Sequence, residues 1–282
     1  MFWLFRFFSH WPLAVLHAFG GVMGWIVWAL SPRYRANFRT QVAQAGLPFE
    51  AARPAIAEAG RFVGELPKLW VRRRSQSCLG NVRVTGQINA ELAFSQGRGV
   101  IFFSAHCGSF ELAPQALAEL YGPITAIYRP ARKAWLARLQ SMARNCRNLT
   151  VVPASLSGIR LMHKTLKVNN AVGMLTDQVP PEGMGLWAPF FGRPAYTVTL
   201  AVRLALQTGA VLLPVSCERL PRGRGYFLKI WPAVAVVETD EKPDMLQAVT
   251  RMNQAIEAIV LSQPGQYLWG YARYKSPRRQ TG

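Results

Sequence analysis

From residue 82 onward, short runs of β-branched and aromatic residues recur between stretches of helical character. The runs are Val82–Val84, Val100–Phe103, ITAIY (124–128), LTVVP (149–153), AVGMLTD (171–177), VLLPVSCER (211–219) and GYFLKIWPAV (225–234). Helices are expected at 114–120, 132–147, 157–168, 197–208 and 242–262, with a Pro- and Gly-rich loop at 179–194. Residues 31–75 read as mostly helical, with a break at Gly46-Leu47-Pro48. Strands that alternate with helices can hide their apolar faces only in layers. The expected fold class is therefore α/β, a mixed central sheet flanked by helices.

A second constraint lies ahead of this pattern. Residues 11–30 contain no Lys, Arg, Asp or Glu. As a helix rising ~1.5 Å per residue, such a stretch matches a ~30 Å hydrocarbon layer. Three readings stand: a spanning helix, a helix lying in the membrane interface, and a signal peptide. Gly20, Gly21, Gly24, His10 and His17 weigh against spanning, and the absence of a small-residue cleavage site weighs against a signal peptide. Arg33, Arg35 and Arg39 follow the segment and only Arg6 precedes it, which places the bulk of the chain in the cytoplasm. The expected division is a membrane-anchoring segment over 1–31 and a domain over 32–282, a length suited to one sizeable core.

Lys and Arg number 33 against 14 acidic residues, a net charge of +19, which calls for anionic partners. Nucleic acid is disfavoured, because zinc-finger spacing, RNP-type aromatics and a basic heptad region are all missing from the sequence. Many Arg residues sit beside Trp or Phe, which suits a phospholipid surface. Cys78, Cys107, Cys146 and Cys217 show neither metal-ligand spacing nor a paired pattern, so free thiols, no metal and no cofactor are expected.

The chemistry concentrates in residues 99–114, GVIFFSAHCGSFELAP. The apolar run ends at His106, turns through Gly108 and Ser109, and enters a helix-like segment carrying Glu111. A His there can take a proton from a hydroxyl while a carboxylate holds its tautomer, which favours acyl transfer to an alcohol. Two more strands end in polar groups, at Tyr128-Arg129 and Asp177-Gln178. Strand ends converge in one sheet, so these groups are expected to line one cleft with His106.

These blocks together resemble the bacterial lipid A biosynthesis acyltransferases of the lauroyl and myristoyl type. The resemblance rests on His106 to Glu111 as an HxxxxE block, followed in order by Tyr128-Arg129-Pro130, Thr176-Asp177-Gln178, Phe190-Phe191-Gly192, LALQTGAVLLP and Tyr267-Leu268-Trp269 with Arg273 and Lys275. It implies a fold shared with glycerolipid acyltransferases and an enzyme of the bacterial inner membrane, facing the cytoplasm. Such an enzyme moves a fatty acyl chain from acyl carrier protein to a hydroxyl of an anionic, Kdo-bearing lipid A precursor. Tyr271 and Ala272 depart from the commoner pattern and leave the acceptor open. A lysophospholipid, ornithine lipid or glycolipid is the alternative acceptor, and a non-catalytic polybasic lipid-binding protein is the alternative without chemistry.

On this reading His106 is the general base and Glu111 its orienting carboxylate. Backbone N–H groups near Gly108 and Ser109 are candidates to hold the oxyanion, with Arg129 or Arg160 as alternatives. Arg129, Arg160, Asp177 and Gln178 are the expected substrate-binding residues. Leu186, Trp187, Phe190 and Phe191 are expected either to line an acyl groove or to pack in the core.

Overall fold

A computed structural model describes residues 2–71, 76–128, 148–236 and 244–278. Five helices open the chain: α1 (Phe2–Ser9), α2 (Leu13–Leu30), α3 (Pro32–Gln44), α4 (Phe49–Ala52) and α5 (Ala55–Trp70). There follow β1 (Val82–Thr85), α6 (Gln87–Ser95), β2 (Val100–Ser104), α7 (Ala113–Tyr121), β3 (Ile124–Tyr128), β4 (Leu149–Pro153), α8 (Leu156–Lys167) and β5 (Ala171–Leu175). The chain then forms β6 (Gly185–Phe190), β7 (Arg193–Val198), α9 (Leu200–Thr208), β8 (Val211–Arg219), β9 (Tyr226–Ile230) and α10 (Met245–Ser262). The expected basic helix at 132–147 lies outside the described residues, as do Arg129 and Cys146.

The seven-stranded sheet has the order β1-β9-β8-β2-β5-β3-β4. Only β8 and β9 pair antiparallel, so the sheet is mixed, as the sequence pattern requires. Side chains alternate across β2. Val100 and Phe102 face α6 and α7, whereas Ile101 and Phe103 face the core shared with α3, α8, α9 and α10. Both faces are covered, which explains why β2 is an unbroken apolar run. Strands β2, β5, β3 and β4 run parallel, so their C-terminal ends lie along one edge of the sheet.

Residues 185–198, within and just beyond the expected loop, form a separate hairpin. Its two-residue turn, Phe191-Gly192, has positive φ at both positions (47° and 72°), the type I′ pattern that matches strand twist. Pro189 and Pro194 face each other across the pair. A two-stranded ribbon tolerates prolines that a central strand would reject, so proline content there did not mean a loop.

The apolar N-terminal segment is joined to the domain. Gly20 and Gly24 of α2 sit against the backbone of α5 at Gly60 and Ile56, and Gly64 of α5 sits against Leu16. A Cβ at these glycines would collide with backbone, which is how small residues let two helices approach closely. The opposite face of α2 presents Phe19, Val22, Ile26 and Leu30 to the exterior. Gly24→Leu is expected to wedge the helices apart and destabilise the protein by about 1–3 kcal/mol or more, measured as a lowered denaturation midpoint. An unchanged midpoint would show that the contact contributes nothing.

Candidate active site

The site forms where β2 and β5 end. These strands pair in register, with Ser104 opposite Leu175. Two residues further along each chain stand His106 and Asp177, and the offset of 71 residues that relates them is the one that relates the paired strands. Asp177 Oδ1 lies 2.7 Å from His106 Nδ1, and Asp177 Oδ2 accepts the His106 backbone N–H at 3.0 Å. Asp177 is buried. Burial pushes its carboxyl up, but the neighbouring imidazole and the two hydrogen bonds outweigh this and hold it below the usual carboxylate range. An ionised Asp177 can only accept, so Nδ1 carries the ring proton. Nε2 then keeps its lone pair, which faces the Gln178 side-chain amide nitrogen at 3.1 Å. This is the tautomer a general base requires.

The carboxylate hydrogen-bonded to His106 Nδ1 is thus Asp177, where the sequence pointed to Glu111. Glu111 is not on a helix: Pro114 sits in the first turn of α7, which begins at Ala113, so residues 109–112 form a turn. The Glu111 carboxylate accepts the indole N–H of Trp70 at 3.2 Å, and Glu111 lines the same cavity as His106.

The expected oxyanion donors are already engaged. The Gly108 N–H donates to the Gln266 carbonyl at 3.1 Å, and the Ser109 N–H donates to the Cys217 carbonyl at 2.6 Å. Gly108 has φ +61°, and a Cβ there would strike the Cys217 carbonyl, so only glycine fits this turn. The Ser109 hydroxyl donates to Glu65 at 2.7 Å. Glu65 is fully buried and also lies 3.2 Å from His17 Nε2, 3.2 Å from the Tyr226 hydroxyl and 3.3 Å from Arg219 Nε. Arg219 in turn donates to the Gly108 carbonyl at 2.9 Å. The C-terminal segment closes the loop from outside, with the Leu268 N–H donating to the His106 carbonyl at 3.1 Å. The turn after His106 is thus fixed by α5, β8 and the chain end. Burial raises the Cys107 thiol far above its ordinary range, so it is not poised as a thiolate nucleophile.

A cavity of about 680 Å³ opens beside His106. Its lining includes Phe102, Ala126 and Gly173, on the sheet face that packs against α7, and Arg203 near the start of α9. Of the expected substrate-binding residues, Gln178 lines it and Asp177 stands behind His106. Arg160 is exposed on α8 and does not line the cavity, whereas Arg203, which the sequence did not single out, does. Leu186, Trp187, Phe190 and Phe191 do not line it either. Phe190 is core, packed under the Arg273 guanidinium 5.0 Å away.

A His with its tautomer fixed by a buried carboxylate, opening onto a lipid-sized apolar cavity, has the chemistry of the acyl-transfer class of sites. Within that class, the chain belongs to the bacterial lipid A biosynthesis acyltransferases, whose family model matches residues 48–276. It is 31% identical to the lipid A biosynthesis palmitoleoyltransferase of Escherichia coli K12 over 194 residues, 68% of this chain and 61% of that protein. It is 27% identical to the lauroyltransferase of the same organism over 64% of this chain and 58% of the relative. A phosphatidylinositol mannoside acyltransferase of Mycobacterium tuberculosis is 25% identical over 71% of this chain and 63% of its own length. The matched part spans less than two thirds of each of these relatives.

Proposed function

We propose that this protein transfers a fatty acyl chain from acyl carrier protein to a hydroxyl of a Kdo-bearing lipid A precursor, without an acyl-enzyme. The observation that carries the reading is the Asp177–His106 pair at the mouth of the cavity. His106 Nε2 takes the proton of the acceptor hydroxyl as the Gln178 amide gives way. The oxygen attacks the thioester carbonyl, and the thiolate leaves and takes up the proton from the imidazolium. With the Gly108 and Ser109 N–H groups engaged, we assign oxyanion donation to the Gln178 side-chain amide. Glu111, which lines the same cavity, is assigned to offset the charge of the imidazolium that develops at His106. A thioester already has a good leaving group, so placing the acceptor supplies much of the rate.

We assign the protein to the cytoplasmic face of the inner membrane as a monotopic enzyme. If α2 spanned the bilayer alone it would leave α5 and uncover Glu65 and His17. Held against α5, it can lower Phe19, Val22, Ile26 and Leu30 into the interface. The +19 charge suits anionic headgroups, the acidic carrier protein and a phosphorylated acceptor.

The test is a mass-spectrometric assay with acyl carrier protein thioesters and the tetra-acylated Kdo-lipid A precursor. A mass gain of one acyl chain is expected, with a drop of at least about 10³-fold for His106→Ala. Residual activity near wild type in a clean His106→Ala preparation would overturn the mechanism. Transfer only to a mannosylated phosphatidylinositol or a lysophospholipid in parallel arms would change the acceptor and leave the site assignment standing.

A further inference from the structure

We propose that Gly173, with Ala126 beside it, sets the length of acyl chain that the cavity accepts. This rests on the reading of the cavity as the donor's acyl site.

Gly173 is the third of five residues in β5, deep in the sheet, where it lies between Phe102 of β2 and Ala126 of β3. A glycine at such a position forfeits side-chain packing and costs roughly 0.5–1 kcal/mol against alanine, so a reason is needed for it. The backbone gives none, because Gly173 is not among the glycines of positive φ. Packing gives none either. A Cβ there would meet the Ala126 Cβ and the Ile124 Cγ2, each at 3.8 Å, an ordinary van der Waals contact. The other strand glycine among the described residues, Gly185, is different: its Cβ would lie 2.5 Å from the Thr197 carbonyl oxygen.

What the missing side chain leaves is space in the cavity. Val172 and Met174 point to the core shared with α3 and α10, so position 173 points to the face that carries Phe102, Ala126 and α7. Gly173, Ala126 and Phe102 all line the cavity, and Phe102 and Ala126 pack on the face that α7 covers. Their row lies two residues before the end of β2 and four before His106, roughly 13 Å away at most at ~3.3 Å per extended residue. An acyl chain whose carbonyl sits at His106 therefore passes this row with its distal methylenes. Packed interiors have little slack, so each carbon added at 173 displaces about one carbon of the chain.

The experiment uses the full-length protein with an even-numbered series of saturated acyl carrier protein thioesters in competition. Gly173→Val adds three carbons and is expected to move the preferred donor down by about one two-carbon step, while kcat/KM for the wild-type donor falls about 10-fold or more. Turnover of the shorter donor shows that the variant is folded. Gly173→Ala, whose added carbon makes only ordinary contacts, is expected to shift the profile in the same direction by less, and Ala126→Val to act like Gly173→Val. Should Gly173→Val lose all activity, the alanine variant decides. A length profile identical to wild type in active Gly173→Ala and Ala126→Val variants would overturn the proposal and leave the proposed function intact. If wild type transferred from no thioester, the proposed function would fail instead. The cavity would then be read by native mass spectrometry with free fatty acids of the same series, where an unchanged length optimum in Gly173→Val would overturn the proposal independently.

Discussion

Asp177→Asn is expected to lower kcat about 10⁴-fold, the fall seen when the tautomer-fixing carboxylate of a His-based catalytic unit becomes an amide. That corresponds to about 5 kcal/mol of transition-state stabilisation. The asparagine carbonyl can still accept the His106 backbone N–H, so the loop stays in place. Its NH₂, however, would face Nδ1 and donate. The ring proton then moves to Nε2, the atom that must accept the hydroxyl proton. The imidazolium that forms during transfer also loses its counter-charge. Steady-state kinetics with a saturating donor, on a variant shown by its denaturation curve to be fully folded at the assay temperature, would establish this. A fall of less than 10-fold would mean that Asp177 does not orient the base.

The pH behaviour follows from the sign of the Asp177 shift. Its folded-state value lies below the ordinary aspartate value of ~3.9, so its contribution to stability is complete above that pH. It is lost only as pH falls through the lowered value. A loss of activity above about pH 4 therefore reports a group other than Asp177. The stability of Asp177→Asn should therefore lie below wild type above about pH 4 and converge on it at the acid end, where the wild type loses the advantage it held.

Much of this was legible beforehand. The apolar runs gave the strands and the mixed sheet because each run was long enough and branched enough to fit a covered pleat. His106, Asp177 and Gln178 were all visible as polar groups at strand ends. Their pairing was not, because it depends on β2 and β5 being neighbours with a fixed register, while β3 and β4 intervene in the sequence. Sequence proximity instead favoured Glu111, which Pro114 keeps off the helix and Trp70 holds by its indole N–H. The engagement of the Gly108 and Ser109 N–H groups was hidden for a similar reason: whether a backbone N–H is free depends here on carbonyls of Cys217 and Gln266, far along the chain. Arg203 gave no signal, since an arginine in the first half of an amphipathic helix ordinarily reads as a solvated face.

Glu65→Leu is expected to destabilise the protein by about 3–5 kcal/mol, a large share of the roughly 5–15 kcal/mol available to a folded domain. Glu65 has no solvent exposure and is the shared acceptor of Ser109 and Tyr226, with His17 and Arg219 alongside. Leucine would leave Arg219, itself almost wholly buried, with Glu58 at 3.7 Å as its remaining carboxylate contact. It would also strand the Ser109 hydroxyl, and a buried donor without an acceptor costs its full desolvation, about 1–3 kcal/mol. Glu65→Gln keeps the shape and an accepting oxygen but loses the charge, so it should fall between leucine and wild type. The double variant Glu65→Leu with Arg219→Met should recover much of the loss, because it removes the unpaired charge along with its partner. A double variant as unstable as Glu65→Leu alone would trace the cost to packing rather than charge. Since Ser109 and the Gly108 carbonyl belong to the turn after His106, a folded Glu65→Gln enzyme should also show a lower kcat with little change in KM. The same carboxylate that pins α2 to α5 through His17 then fixes the turn that follows the base, which joins the proposed membrane-facing helix to the reacting centre through buried bonds.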